Sequence, residues 1–99
     1  MKVFLKNSKK KYDAVGDYNE KTNELLVKKD SIVSKDIREF KGTNSIIKRR
    51  TLYVKDDIVL EDVGFKSPST AANFITGRSS NGMDVWKDIN GKSLNELKK

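Results

Sequence analysis

The chain has 99 residues, of which 35% are hydrophobic and 35% are charged, and its formal net charge is +7. This length predicts one domain, residues 1–99, with a modest core, because two independent cores need a longer chain. The sequence leaves open whether these residues are a whole protein or part of a longer one. There is no cysteine and no histidine, which excludes disulfides, thiolate chemistry, Cys/His zinc sites and imidazole bases.

The basic residues are concentrated in the first half of the chain. Residues 1–55 carry 15 Lys/Arg against 7 Asp/Glu, whereas residues 56–99 carry 6 against 7. This asymmetry favours an anionic partner, since a nucleic acid backbone binds cations through counterion release. A lysine-rich surface that is merely solvated is the alternative.

The sequence predicts no membrane partner. No apolar run reaches the roughly 20 residues that a membrane span needs, and the N-terminus lacks the long apolar stretch of a signal peptide. The absence of cysteine fits a cytoplasmic protein. We therefore expect the protein to lie in the cytoplasm.

The first predicted elements are strands. Residues 3–5, 12–18 and 25–27 are short apolar or alternating segments, and residues 19–23 have the composition of a turn. These segments predict an antiparallel meander of two or three strands.

The middle of the chain has a less regular pattern. Residues 34–45 are polar and are predicted as a loop, and the mixed pattern from Ser45 onward predicts a short helix running into a turn. The pair Asp56-Asp57 makes a polar break, after which residues 58–65 predict one or two further strands.

The clearest local signals predict a helix over residues 68–76. Ser67 is a favoured N-cap, Pro68 suits the first helical position, and Gly77 lies where a left-handed C-terminal residue is preferred. The small residues Ala71 and Ala72 permit this helix to approach a sheet closely.

Two further turns or helices follow. Asn81-Gly82 is a turn or helix start, and we favour a turn over a ligand contact because both residues tolerate positive φ. The Ser-x-x-Glu pattern that begins at Ser93 predicts a short capped helix that buries Leu94 and Leu97. Strands followed by helices predict an α+β fold, with a small antiparallel sheet from the N-terminal half packed against two or three short C-terminal helices.

The sequence resembles a bacterial domain family of unassigned function that is found at the C-termini of some GIY-YIG nucleases and restriction-modification proteins. The match is carried by Ser67-Pro68-Ser69, Ala71-Ala72, Gly77-Arg78-Ser79, Asn81-Gly82 and Trp86-Lys87, followed by Gly91 and Leu94. A more distant resemblance links the chain to the restriction-enzyme adenine-methylase-associated (RAMA) domain, although Met83 stands where that pattern often has an aromatic residue. The resemblance implies a recognition module that works beside DNA-processing enzymes.

Candidate nucleic-acid contacts follow from charge and position. They are Lys9, Lys10, Lys11, Lys48, Arg49, Arg50, Arg78, Ser79, Asn81 and Lys87. The run 48–50 is the densest in arginine and the best candidate for phosphate contacts, but Arg50 is alternatively an internal structural residue. Arg78 would contact a phosphate or base edge, or would complement the dipole of the preceding helix. The lysines at 9–11 form either an electrostatic arm or a solubilising edge.

Trp86 and the carboxylates have simpler interpretations. As the single tryptophan, Trp86 invites a role in base stacking, but the small residues on the helix before it favour a core position. The spacing of the Asp and Glu residues does not bring two or three of them to one point, so we expect neither a catalytic nor a metal site and no cofactor. The sequence thus predicts a non-catalytic module that contacts DNA, or one that docks onto a nuclease or methylase subunit.

Overall fold

Six strands and four helices follow one another along residues 1–98, the part of the chain that the computed structural model describes. In chain order they are β1 (Lys2–Asn7), β2 (Tyr12–Tyr18), β3 (Leu25–Val27), α1 (Thr43–Tyr53), β4 (Val54–Lys55), β5 (Ile58–Val59), β6 (Val63–Phe65), α2 (Pro68–Thr76), α3 (Gly82–Val85) and α4 (Leu94–Leu97). The α+β class predicted from the sequence is confirmed, as are the three strands of the meander.

The main sheet has four antiparallel strands in the order β1-β2-β3-β6. In its register, Asp17 on β2 pairs with Lys2 on β1 and with Leu26 on β3. Leu26 in turn pairs with Gly64 on β6. Alternate residues of all four strands are buried on one face, because successive side chains of a strand point to opposite sides. The hydrophobic core packs on that face of the sheet.

Helix α2 lies against this buried face. Ser67 caps it by accepting a hydrogen bond from the Thr70 amide at 3.2 Å, and Gly77 ends it with φ of 74°. Ala71 and Ala72 are fully buried, so the backbone of the helix comes close to β2, β3 and β6. The prediction of a helix over residues 68–76 is confirmed.

Trp86 belongs to the core. Its side chain is fully buried, and its indole Nε1 donates to the Pro68 carbonyl oxygen at 3.0 Å. The core position favoured by the sequence is therefore confirmed, and a stacking surface for bases is excluded at this residue. The capping box at Ser93 is also confirmed; Leu94 is buried, whereas Leu97 is 38% exposed and its predicted burial is wrong.

Helix α1 begins two residues before the end of the predicted loop. Thr43 fixes its start, since Thr43 Oγ1 accepts from the Phe40 amide at 2.7 Å and donates to the Arg38 carbonyl at 3.1 Å. Ile46 is the one buried residue among its eleven. The apolar residues of this helix show little periodicity because it contributes so little to the core.

Strands β4 and β5 form a separate two-stranded hairpin. The polar break at Asp56-Asp57 is its turn, where both residues have positive φ, 52° and 66°. Adjacent positive φ values match the right-handed twist of a tight hairpin. The segment that was expected to run from helix into a turn thus includes strand β4.

Candidate functional site

Arg49 is held in a defined position on the edge of the main sheet. Its guanidinium carbon lies 4.8 Å from the centroid of the Phe65 ring, and its Nη1 donates to the Gly64 carbonyl at 3.0 Å. The Phe65 ring is itself supported by Phe74, 5.1 Å away between centroids. An exposed arginine is thereby ordered, since it has a ring on one face and a fixed acceptor on its edge.

A groove lies between α1, the end of β6 and the exposed face of α2. We call it the Arg49 groove; its volume is about 340 Å³, and it is lined by Gly42, Ser45, Ile46, Arg49, Phe65, Lys66, Thr70, Asn73 and Phe74. Its size falls at the lower end of the range for small-molecule sites. Its walls combine buried aromatic rings with polar side chains from two helices.

The charge of the Arg49 groove is distinctive. It has two cationic residues, Arg49 and Lys66, and no Asp or Glu among its lining residues. Four other recesses on the described surface each include at least one carboxylate. The Arg49 groove is thus the recess of these five that suits an anionic ligand.

Three polar side chains add hydrogen-bonding capacity to the groove. The Asn73 Oδ1 accepts from the Ser80 amide at 2.8 Å, so the Asn73 NH2 group is left to donate to a ligand. The Thr70 hydroxyl donates to the Ser67 carbonyl at 3.0 Å and accepts from Ser67 Oγ at 3.0 Å, which leaves one lone pair of its oxygen for a ligand. Ser45 contributes a hydroxyl from α1. Donors and acceptors therefore surround the cationic end.

Lys48 extends the basic surface beyond the groove. Lys48 is exposed. Ser45 precedes it by three residues, so the two side chains lie on the same flank of α1. The predicted contacts Lys48 and Arg49 therefore belong to one surface, and Lys66 joins them from the other side.

Arg50 does not line the Arg49 groove and has the internal role that was the alternative for it. Its guanidinium donates to three backbone carbonyls, those of Phe74 at 3.0 Å, Ser34 at 2.6 Å and Ile75 at 3.2 Å. Burial lowers the pKa of Arg50 to about 10, so the group is still cationic at neutral pH. Because the guanidinium is committed to these carbonyls, Arg50 is not available to contact phosphates.

Replacing Arg50 should destabilise the fold. We expect Arg50→Met to lower the free energy of unfolding by about 2–3 kcal/mol, because the half-buried carbonyls of Ser34, Phe74 and Ile75 would lose a charged donor. Urea denaturation followed by Trp86 fluorescence would measure the loss. The matched change Lys48→Met, on the exposed flank of the same helix, should have an effect within about 0.5 kcal/mol. Equal effects of the two changes would contradict the internal role.

The lysines at 9–11 and Lys87 lie away from the Arg49 groove. Lys9, Lys10 and Lys11 form the tip of the β1–β2 hairpin, where the amides of Lys9 and Lys10 donate to Asn7 Oδ1. The rise and spacing of strands place this tip roughly 20 Å from Gly64 at the groove. Lys87 is paired with Phe4 on β1, at the opposite edge of the sheet from β6. The structure therefore does not bring these candidates together with Arg49.

The segment 78–81 follows the C-terminal end of α2 and connects to the groove through Asn73. Arg78 is partly exposed, and its Nε is buried with no hydrogen-bond partner within residues 1–98; Ser79 is exposed. Asn81 caps α3 by accepting from the Met83 amide at 3.1 Å.

The prediction that Asn81-Gly82 is present because both residues tolerate positive φ is wrong. Neither residue has positive φ, so conformational tolerance is not the reason for this pair. A side chain at Gly82 would overlap the backbone of Pro68 and Ser69, and the Gly82 amide donates to Ser69 Oγ at 2.9 Å. Glycine is required here because α3 packs directly against the first turn of α2.

Two of the carboxylates form ion pairs with lysine side chains. Asp57 pairs with Lys35 at 2.6 Å, and Asp62 pairs with Lys28 at 3.0 Å. The Lys29 amide and then the Lys28 ammonium hold the pKa of Asp62 below its ordinary value. Among residues 1–98 no group of three or more Asp and Glu side chains is arranged to hold a metal ion.

The family comparison accounts for nearly the whole chain. Residues 4–98 match the model of a domain of unknown function, DUF4357. The chain belongs to the DUF4357 family. Comparison of this DUF4357 domain with curated proteins and with solved structures found no match. The resemblance to a family of unassigned function is thus confirmed.

None of the helices that the structure describes in this DUF4357 domain is long and apolar enough to cross a membrane.

Several groove residues of the DUF4357 domain were not singled out from the sequence. They are Ser45, Phe65, Lys66, Thr70 and Asn73. One signal for them was present, since Thr70 and Asn73 are polar residues three positions apart on a helix whose other face is apolar. The others are distant in sequence and meet only through the packing of α1 beside β6.

Proposed function

We propose that this DUF4357 domain is a non-catalytic accessory module that binds DNA in the cytoplasm, with Lys48, Arg49 and Lys66 contacting phosphates. The observation that carries the proposal is the carboxylate-free Arg49 groove, in which an arginine is already ordered by Phe65 and Gly64. Ordering matters because a side chain that is fixed before binding loses less entropy when the ligand arrives.

The charge distribution supports the same proposal. The 15 Lys/Arg of residues 1–55 include Lys48 and Arg49, and also Lys9–Lys11 at the hairpin tip. Since the tip lies roughly 20 Å from the groove, it would reach phosphates flanking those at Arg49. Arg78 and Ser79, linked to the groove through Asn73 and Ser80, would add local contacts.

The resemblance to modules of GIY-YIG nucleases, restriction-modification proteins and RAMA domains supports a role for this module beside a DNA-processing enzyme. In that setting the enzyme performs the chemistry and this module contributes affinity or recognition. The proposal includes no cofactor and no metal.

A salt titration tests DNA binding. Titration of labelled duplex DNA at 50–200 mM salt should give a slope of log K against log salt of about −2 to −3 if Lys48, Arg49 and Lys66 each displace a counterion, and a steeper slope if Lys9–Lys11 also contact phosphates. Arg49→Ala should weaken binding several-fold and make the slope shallower by about 1. Lys92→Ala removes the same charge from an exposed turn outside the groove, and should change neither value. Absence of binding to both duplex and single-stranded DNA at low salt would reject the proposal.

A second candidate function is docking onto a nuclease or methylase subunit. It is favoured by Ile32 and Ile58, which pair across a β-bridge and are 40% and 42% exposed. An apolar interface of this kind should be much less sensitive to salt than DNA binding. Binding to the partner enzyme that Ile58→Asp abolishes and that salt leaves unchanged would favour docking over DNA contact.

A further inference from the structure

The Arg49 guanidinium lies against the Phe65 ring, 4.8 Å from its centroid, while the arginine side chain as a whole is exposed. The bond from Nη1 to the Gly64 carbonyl keeps the group from rotating freely. A planar cation fixed in this way offers its exposed side to a second flat group, and nucleic acid bases stack on arginine in this manner.

The shape of the Arg49 groove admits an unpaired nucleic acid base but not a base within a duplex. The groove is a recess of about 340 Å³ between two helices, lined by the buried rings of Phe65 and Phe74. A base within a duplex has both faces covered by its neighbours, so it cannot enter a recess without leaving the stack. An unpaired base carries no such restriction.

The polar residues of the groove are placed to bind the edge of a base. The Asn73 Oδ1 is bonded to the Ser80 amide, so the Asn73 NH2 group is the part of this side chain that donates to a ligand, and the Thr70 oxygen keeps one lone pair beside its contact with Ser67 Oγ. Lys66 lines the groove and Lys48 is exposed on α1 three residues after Ser45, so both lysines are available to contact phosphates next to the base.

We infer that the Arg49 groove holds one unpaired DNA base, stacked on the exposed side of the Arg49 guanidinium. This inference rests on the proposed DNA-binding function and specifies its ligand. The domain should accordingly prefer DNA with an unpaired base to fully paired DNA.

Three labelled DNAs test the inference: a fully paired duplex, the same duplex with a one-nucleotide bulge, and the same bulge with an abasic nucleotide. The two bulged DNAs carry equal numbers of phosphates, so a difference between them reports the base itself. We expect the bulge with a base to bind about tenfold more tightly than the abasic bulge.

A charge-conserving variant separates stacking from electrostatics. Arg49→Lys keeps the positive charge and removes the planar group, so the advantage of the base should fall to about twofold or less while the salt slope is retained. Circular dichroism would confirm that the variant is folded.

Each result has a definite meaning. If the wild-type domain binds both bulged DNAs equally, with salt-dependent duplex binding intact, the stacked base is rejected and the proposed function stands. An advantage that survives Arg49→Lys also rejects it. Failure to bind any of the three DNAs at low salt rejects both proposals.

Discussion

Replacement of Trp86 by alanine is expected to lower the free energy of unfolding by about 3–5 kcal/mol. The reason is its position, since the side chain is fully buried between the sheet and α2 and also donates to the Pro68 carbonyl at 3.0 Å. Removing it would leave a cavity beside Gly16, where an added Cβ would lie 3.3 Å from the indole ring and where glycine has no side chain to fill the space. Urea denaturation followed by circular dichroism would measure the change, because the variant lacks the only tryptophan.

Two controls make the Trp86 result interpretable. Ile89→Ala, three residues away at a side chain that is 80% exposed, should change stability by less than about 0.5 kcal/mol. If Trp86→Ala does not fold, Trp86→Phe should fold with a loss of about 1–2 kcal/mol, from the smaller ring and the missing donor. A loss below about 1 kcal/mol in the alanine variant would place Trp86 outside the core.

Gly77→Ala should be nearly as damaging, with an expected loss of about 3–4 kcal/mol. Gly77 has φ of 74°, and an added Cβ would overlap the Asp36 carbonyl oxygen and lie 3.1 Å from its carbon. The loop at 36–38 would have to move, at the cost of the bond from the Arg38 amide to the Gly77 carbonyl at 2.7 Å. Urea denaturation followed by Trp86 fluorescence would measure this loss.

Gly91→Ala is the matched control for Gly77→Ala. Gly91 has a similar φ of 81°, but a Cβ there would meet nothing within 4 Å. The Gly91→Ala variant should lose about 1 kcal/mol of unfolding free energy, which is the conformational cost of positive φ alone. The difference between the two variants therefore measures the close approach of the 36–38 loop to the end of α2, and equal losses would show that this contact contributes nothing.

The elements with local signals were the ones that the sequence could predict. Helix α2 begins and ends at the predicted residues because Ser67, Pro68 and Gly77 determine its ends within one short segment. The capping box at Ser93 is equally local. Helix α1 has no side-chain cap at Gly42 and one buried residue, so neither its start nor its orientation could be derived from periodicity.

The candidate site was predictable only in part, for a related reason. The run 48–50 was identified as basic, but adjacent helical residues point about 100° apart, and the phase of the helix decides which one faces inward. The structure turns Arg50 toward α2 and Arg49 toward β6. Lys66 and Asn73 join Arg49 only through tertiary packing, which no local pattern of the sequence records.

Because little of α1 is buried, this helix should open before the rest of the domain. A helix with a single buried side chain, held otherwise by the partly buried Tyr53 and by the polar contacts of Arg49 and Arg50, should detach at a lower free energy than the sheet and α2. Its amides would then exchange with solvent through local opening, while the core remains closed. Since α1 forms one wall of the groove, a bound ligand would suppress that opening and leave exchange from the core strands largely unaffected.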